Sequence, residues 1–538
     1  MLVPKYIIAI PNTDASKLQY LVNKHSSNAD VEMISHQVFG KDKSLINESS
    51  NIGVVLINPA QRLIKAYNAA LKNGNSGLTF KSFYSNPVRI NFYANLFEDI
   101  ELSNLGFVGI QEHFYKTALL YTDVLEKSLF RLPYNKTVNQ SPPQPIDKED
   151  LELIETLYSK DFEIYHSAVA IFQNRWEAYL NKVSVALPES KKVIVHVGPP
   201  KTGTSAIQAW LRENQSKLFE QGVYYPQHGA DKNGVSSGNF ERLVSFDDSE
   251  GRGYFDDMKL KITINEFVQT QCSTLLLSSE HFFYYLIWFF TRLSQSEFIF
   301  YIRHPLATAE SGFHQEVKRH KRTKPLEIDK DLGFNNLVTI SEIAKEFDCK
   351  IHFRYFDEAQ FEGKTLLSDF SACLPANIPS PSEVKRLNTQ YSPGAISLMR
   401  CCNEFADESL LRELDTYLQK ESEKESAFSF ISENEFFEVQ KIICGQVDNI
   451  AKRYSSINSD KLKKLVENYK IPPTCTKEKI NIDILRLLKN APESVKKKLY
   501  MQVRDKASAK VKELIISGMA IGWPQRVYYS LLKMFDKF

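Results

Sequence analysis

The chain has 538 residues, a formal charge of +2, 43% hydrophobic and 25% charged residues. That length is too great for one core, so two or three domains are expected, with the composition of a soluble globular protein. So small a charge makes no case for nucleic acid as a partner, although local basic clusters remain able to meet an anionic ligand. The chain opens with a short apolar strand at residues 6–10, and IPNTDASKLQYLV after it reads as strand, turn and helix. GVVLINPAQRLIKAYN (53–68) gives a β-rich run, a proline and an amphipathic helix. FVGIQEHFYKTALLY (107–121) and DFEIYHSAVAIF (161–172) follow, on either side of a Pro-rich polar loop at 141–145.

Residues 193–210, VIVHVGPPKTGTSAIQAW, are the most informative stretch. They read as a buried strand (193–197), a Gly/Pro turn and a helix opening at Thr204 or Ser205. A helix N-terminus offers free N–H groups and partial positive charge, Gly203 lets the backbone approach an anion, and Lys201 adds a full charge. The lysine precedes the second glycine, which is not the order of a nucleotide-hydrolysing P-loop. PKTGTS closely resembles the loop by which sulfotransferases hold the 5′-phosphosulfate of PAPS (3′-phosphoadenosine 5′-phosphosulfate). The resemblance assigns Lys201, Thr202, Gly203, Thr204 and Ser205 to that group.

Residues 206–222 keep helical periodicity and stop at Gly222, and 228–239, rich in Gly, Ser and Asn, read as a mobile loop on the substrate side. TLLLSSEHFF (274–283) has the continuous apolar run of a central parallel strand, whose carboxyl end is where open α/β sheets bind ligands. Glu280 and His281 stand there, and either side chain could take the proton of an acceptor hydroxyl. FIFYIRHPLATAESGFHQ (298–315) resembles the family's 3′-phosphate-binding segment, with Arg303 and Ser311 at the matching positions. A guanidinium grips phosphate in two places and a hydroxyl adds a neutral donor. HFRYFDEAQFEGKTLLSDF (352–370) and KRLNTQYSPGAISLMR (385–400) look like later segments of bacterial sulfotransferases, which implies Arg386 or Asn388 as a further PAPS contact. The Arg-Lys-Gly run of the best-known cytosolic members is absent.

Set beside this central region, residues 1–185 look like an imperfect second copy that resembles the uronyl and heparan 2-O-sulfotransferase-like family. Aligning Pro59 with Pro305 places Ile57 opposite Arg303 and Lys65 opposite Ser311, while Asn12 stands where the family has its loop lysine. Asp14 adds a negative charge to that turn, with Arg62 and Lys65 on the later helix as cations to offset it.

The tail from 459 to 538 is helical in period and mainly basic. A cap on the preceding domain is the first reading, against an oligomerisation element or a basic face for a membrane surface or anionic polymer. The seven cysteines (272, 349, 373, 401, 402, 444 and 475) form no CxxC pair and are odd in number, which argues against a zinc site and a disulfide framework. No metal is expected. The apolar run 282–290 is too short to cross a bilayer and the N-terminus lacks a signal-type h-region. Golgi members of the family resemble type II membrane proteins, so a cytoplasmic, bacterial setting is expected here.

The expected fold is therefore α/β, a P-loop-like parallel sheet flanked by helices (the sulfotransferase fold) in two tandem copies with a helical tail. Residues 1–185 form the degenerate copy, 190–456 the PAPS-dependent domain and 459–538 the tail. The resemblance implies sulfuryl transfer from PAPS to a hydroxyl of a saccharide or glycan, leaving 3′,5′-ADP. A small-molecule kinase using ATP and Mg²⁺ is the main alternative, and the inverted Lys/Gly order speaks against it. A non-catalytic nucleotide- or glycan-binding protein is the other, and intact Lys201, Arg303 and Ser311 speak against that.

Overall fold

The computed structural model of the protein describes residues 6–11, 13, 15–16, 18–19, 32–39, 52–75, 77–125, 146–229, 236–247, 252–329, 332–376, 391–422, 427–506 and 515. Runs such as IGVVL and TLLLS lack polar alternation, the pattern of strands covered on both faces, and every residue in both is buried. They belong to two parallel sheets flanked by helices, an α/β architecture compatible with Rossmann-like or P-loop-like folds.

The first sheet contains β1 (Tyr6–Ala9), β2 (Glu32–Ser35), β3 (Ile52–Leu56) and β4 (Phe107–Ile110), in the order β2-β1-β3-β4. The second contains β5 (Lys192–His196), β6 (Val223–Tyr224), β9 (Thr274–Ser278), β10 (Glu297–Ile302) and β11 (Lys350–Tyr355), in the order β11-β10-β5-β9-β6. Between β6 and β9 the chain forms a small antiparallel hairpin, β7 (Val244–Phe246) and β8 (Gly253–Phe255). The order β9-β5-β10-β11 corresponds strand for strand to β2-β1-β3-β4. In both sheets the third strand of this series runs into a helix started by proline, Pro59–Lys72 after β3 and Pro305–Arg319 after β10. Proline suits that position because its fixed φ is helical and its missing N–H would have had no partner.

The 25-residue helix Ser159–Val183 ties the two sheets together. Its Asp161 accepts from the amides of Tyr93 and Ala94 at 2.9 and 3.1 Å, and Arg175 donates to the carbonyls of Leu105 and Gly106. Toward the second sheet, Tyr179 accepts from Arg292 at 2.9 Å and Trp176 meets Phe347 edge-on. Nearby, the partly buried carboxylate of Glu346 accepts from the amides of Tyr115 and Lys116, the first turn of helix Phe114–Val124. One contiguous apolar core runs from Ile7 and Val54 through Phe107 and Phe172 to Val195, Leu277 and Phe300.

Two expectations need correction. The helix read over 206–222 is two pieces, Thr204–Glu213 and Gln215–Glu220. Asn214 breaks it by turning its side-chain amide back onto the Trp210 carbonyl, a local bond that competes with the helix ladder. Gly222 ends the second piece with φ +80°, as expected.

The boundary placed near 456–459 does not divide the packing. Helices Glu433–Arg453 and Ser459–Asn468 both contribute to the main core, through Ile443, Val447, Leu462 and Leu465. Helices Pro393–Cys402 and Glu408–Glu421 instead share a second core with Lys477–Asn490 and Glu493–Lys506, closed by Phe313 and Val317 of the Pro305–Arg319 helix. The switch to Lys-rich sequence after 459 marks a change of exposed face, which composition reports and packing does not follow. The last amphipathic piece of the tail lies outside the described residues. Among the described residues no helix is long and apolar enough to cross a membrane.

Candidate functional site

Three neighbouring strands of the second sheet deliver the site at their carboxyl ends: β5 the loop, β9 the segment with Glu280, and β10 Arg303. The loop is stitched to β10 by Val197 N donating to Ile299 O and Tyr301 N donating to Gly198 O, each at 3.1 Å. Thr202 closes it, its buried hydroxyl donating to Pro199 O at 2.6 Å. Gly203 caps the Thr204–Glu213 helix with φ +80°, and a Cβ there would come within 2.2 Å of Leu366 Cδ2, so glycine is required by both conformation and space. The amides of Gly203, Thr204 and Ser205 donate to no backbone carbonyl among the described residues, leaving donors at the positive end of a helix.

Lys201 is left-handed, φ +75°. A side chain with a Cβ pays roughly 1–2 kcal/mol for that conformation, and such strain persists where the surroundings hold it. Arg303 is what holds it, Nη1 donating to the Lys201 carbonyl at 2.5 Å while the guanidinium lies 5.2 Å from the centre of the Phe356 ring. Burial pulls the Lys201 ammonium below the usual lysine range, the nearby Glu280 carboxylate opposes this, and Arg303 adds to it. Burial likewise lowers Arg303, with Tyr469 and Glu310 acting against it.

Glu280 follows Ser279, whose own amide donates to His196 O. Ser279, not Glu280, caps the short helix Glu280–Tyr285 by accepting from His281 N. Glu280 Oε2 accepts from the Thr204 hydroxyl at 3.1 Å, so the carboxylate is part of the loop's own wall. His281 lies further out, Nε2 at 3.9 Å from Glu280 Oε1 and its ring 4.9 Å from that of Phe240.

The structure thus brings Lys201, Thr202, Gly203, Thr204, Ser205, Glu280 and Arg303 together. Ser311 is partly exposed on the Pro305–Arg319 helix. A cavity of about 170 Å³ lies between the loop, the end of β10 and helix Asn335–Phe347, lined by Thr202, Arg303 and Thr308 among others and not by Ser311. Arg386 and Asn388 lie outside the described residues. So does the middle of the 228–239 loop, whose two ends are fixed: His228 meets the Tyr225 hydroxyl at 2.8 Å, and buried Asn239 accepts from Ser278 N at 3.0 Å.

Sequence reading missed Phe356, Glu310 and Tyr469. Glu310 is buried on the same helix and accepts from Phe430 N at 2.7 Å, and Tyr469 stacks on His304 at 3.9 Å beside Arg303. Phe356 and Glu310 lie inside the quoted segments 352–370 and 298–315 without being singled out there, and no motif marks Tyr469, which joins the site through packing between segments distant in the chain.

In the first sheet the corresponding positions are spent on structure. Ile57, opposite Arg303, is buried, and its backbone N–H and C=O both bond the Tyr93 hydroxyl. Arg62 is turned inward, 3.7 Å from Asp161 and over the rings of Phe92 and Tyr93. Asn12 and Asp14 lie outside the described residues.

These features define an α/β protein with a strand–loop–helix junction suited to anions at the carboxyl edge of a parallel sheet. Comparison with protein-family models, curated proteins and solved structures finds no match.

Proposed function

We propose that the chain is a PAPS-dependent sulfotransferase of the P-loop-like type, in which the second sheet carries the reaction and the first is a degenerate copy. The reading rests on one observation above all: Lys201 and Arg303 arrive from adjacent strands and are locked together, with Glu280 from a third strand bonded to the same loop. The open amides of residues 203–205 and the Lys201 ammonium fit a doubly charged phosphosulfate, and Arg303 fits the 3′-phosphate.

PAPS, when bound, supplies an activated sulfuryl group. Lys201 and the loop amides then balance the charge gathering on the phosphate oxygen as its bond to sulfur breaks. Glu280, with His281 beside it, takes the proton of the acceptor hydroxyl as that oxygen bonds to sulfur. The resemblance of both halves to carbohydrate-modifying members points to a saccharide or glycan hydroxyl as acceptor.

Calorimetry on the full chain should give one 3′,5′-ADP bound per chain, because the first sheet offers Ile57 where the second has Arg303 and has committed Arg62 to Asp161. Tight binding of ATP·Mg²⁺ with none of 3′,5′-ADP would replace this reading with a kinase, and two nucleotides per chain would revive the first site. Arg303→Ala should weaken 3′,5′-ADP by about 1.5–3 kcal/mol, the scale of a charged hydrogen bond. Unchanged affinity would move the 3′-phosphate elsewhere.

A further inference from the structure

Glu280 follows closely on Ser278, the last residue of β9, and on the side away from β5 no strand accompanies β9 that far. β6 covers only its start, with Val223 opposite Thr274 and Tyr224 opposite Leu275. A strand end left bare in the interior would strand its amide and carbonyl without partners. Ser278 is fully buried, and both of its backbone groups are taken by one residue at the far end of the 228–239 loop: Ser278 N donates to Asn239 Oδ1, and Asn239 N donates to Ser278 O, each at 3.0 Å. On the other side Ser279 N donates to His196 O at 3.1 Å, so the chain entering Glu280 is held from both flanks.

Asn239 is itself fully buried, and its Nδ2 donates to Pro226 O at 2.8 Å. One side chain thus ties the two ends of the loop to each other and to the strand end before Glu280. Its neighbours fit the same task. Gly238 has φ +66°, and a Cβ there would stand 1.9 Å from Ser278 O, so this close approach requires glycine. Phe240, the next residue, lays its ring 4.9 Å from that of His281. A base acts only within about 2.6–3.2 Å of the proton it takes, and a displacement of about 1 Å is enough to cost turnover heavily. We infer that Asn239 is a positioning residue for Glu280: it sets turnover by fixing the strand end that carries the base, and it couples that base to the loop on the substrate side. This deepens the sulfotransferase reading, on which the role of Glu280 rests.

The test has two readouts on the full chain. Without ligand, Asn239→Ala should speed amide hydrogen exchange about tenfold or more in peptides that span 278–281, while peptides from β5 and β10 stay within about twofold. With PAPS, and water as the probe acceptor, sulfate release should fall about tenfold or more in Asn239→Ala while 3′,5′-ADP affinity stays within about twofold. Glu280→Gln should also lower the rate, and the double variant should fall no further than Glu280→Gln alone, because Asn239 acts through that carboxylate. Asn239→Asp keeps the acceptor for Ser278 N and should lose less. It carries the same comparisons if Asn239→Ala misfolds. Unchanged exchange at 278–281, an unchanged rate, or losses that multiply in the double variant would each overturn the role. Failure of 3′,5′-ADP to bind the wild type would remove the sulfotransferase reading alone. Exchange would then decide: faster exchange supports Asn239 as the holder of this strand end, and no change overturns it.

Discussion

Lys201→Ala should lower turnover with PAPS by about 10²–10³-fold, the scale on which removing one preorganised charge partner of a transition state acts. Alanine meets the same left-handed penalty as lysine at φ +75°, so the loop keeps its backbone and the Arg303 bond to the carbonyl at 201 survives. What is lost is the ammonium, held in a partly buried place where charge interactions are stronger than in water. Lys201→Arg should not restore activity, because a planar fork cannot replace a compact point charge in a loop this tight. Rates measured at saturating PAPS would settle it, and turnover within about tenfold of wild type would place the charge stabilisation elsewhere.

Asp161→Ala should destabilise the protein by about 3–5 kcal/mol, the cost of breaking a buried ion pair from one side. Asp161 is fully buried, and its carboxylate serves the amides of Tyr93 and Ala94 as well as Arg62. Removal leaves two amides without an acceptor and a guanidinium without a counter-charge among Phe92 and Tyr93. Burial pushes the Asp161 carboxyl above its usual value, the amides and Arg62 only partly opposing this, so the pair is costly to keep and costlier to break. Asp161→Asn, which keeps an acceptor, should lose less. Replacing both partners, Arg62→Met with Asp161→Ala, should recover part of the loss. Denaturant unfolding of the four proteins measures each step, and a loss below about 1 kcal/mol for Asp161→Ala would show that water or backbone movement rescues the site.

The strand before Lys201, the turn and the helix start were legible because a continuous apolar run, a glycine and two hydroxyl residues specify them locally. Pro305 announced its helix for the same reason, and the likeness of 53–68 to 298–315 reappears as matching strand order. The bond from Arg303 to the Lys201 carbonyl was not legible, because nothing near either residue encodes a contact between strands. Tyr469 was assigned to a tail and stands beside Arg303, since the segment that delivers it packs on the end of β11, where Tyr355 donates to Asn458 O.

The continuous core between the two sheets bears on motion. Hinged units ordinarily meet over a polar, modest interface, which lets one rotate against the other. Here apolar side chains of both sheets and the long helix between them interlock, and close-packed interiors resist sliding. Clamshell closure of one half over the other is therefore not available to this protein. For the proposed reaction, substrate entry and exit would then fall to short segments at the carboxyl edge of the second sheet, with the first half as a rigid counterweight that holds that edge still.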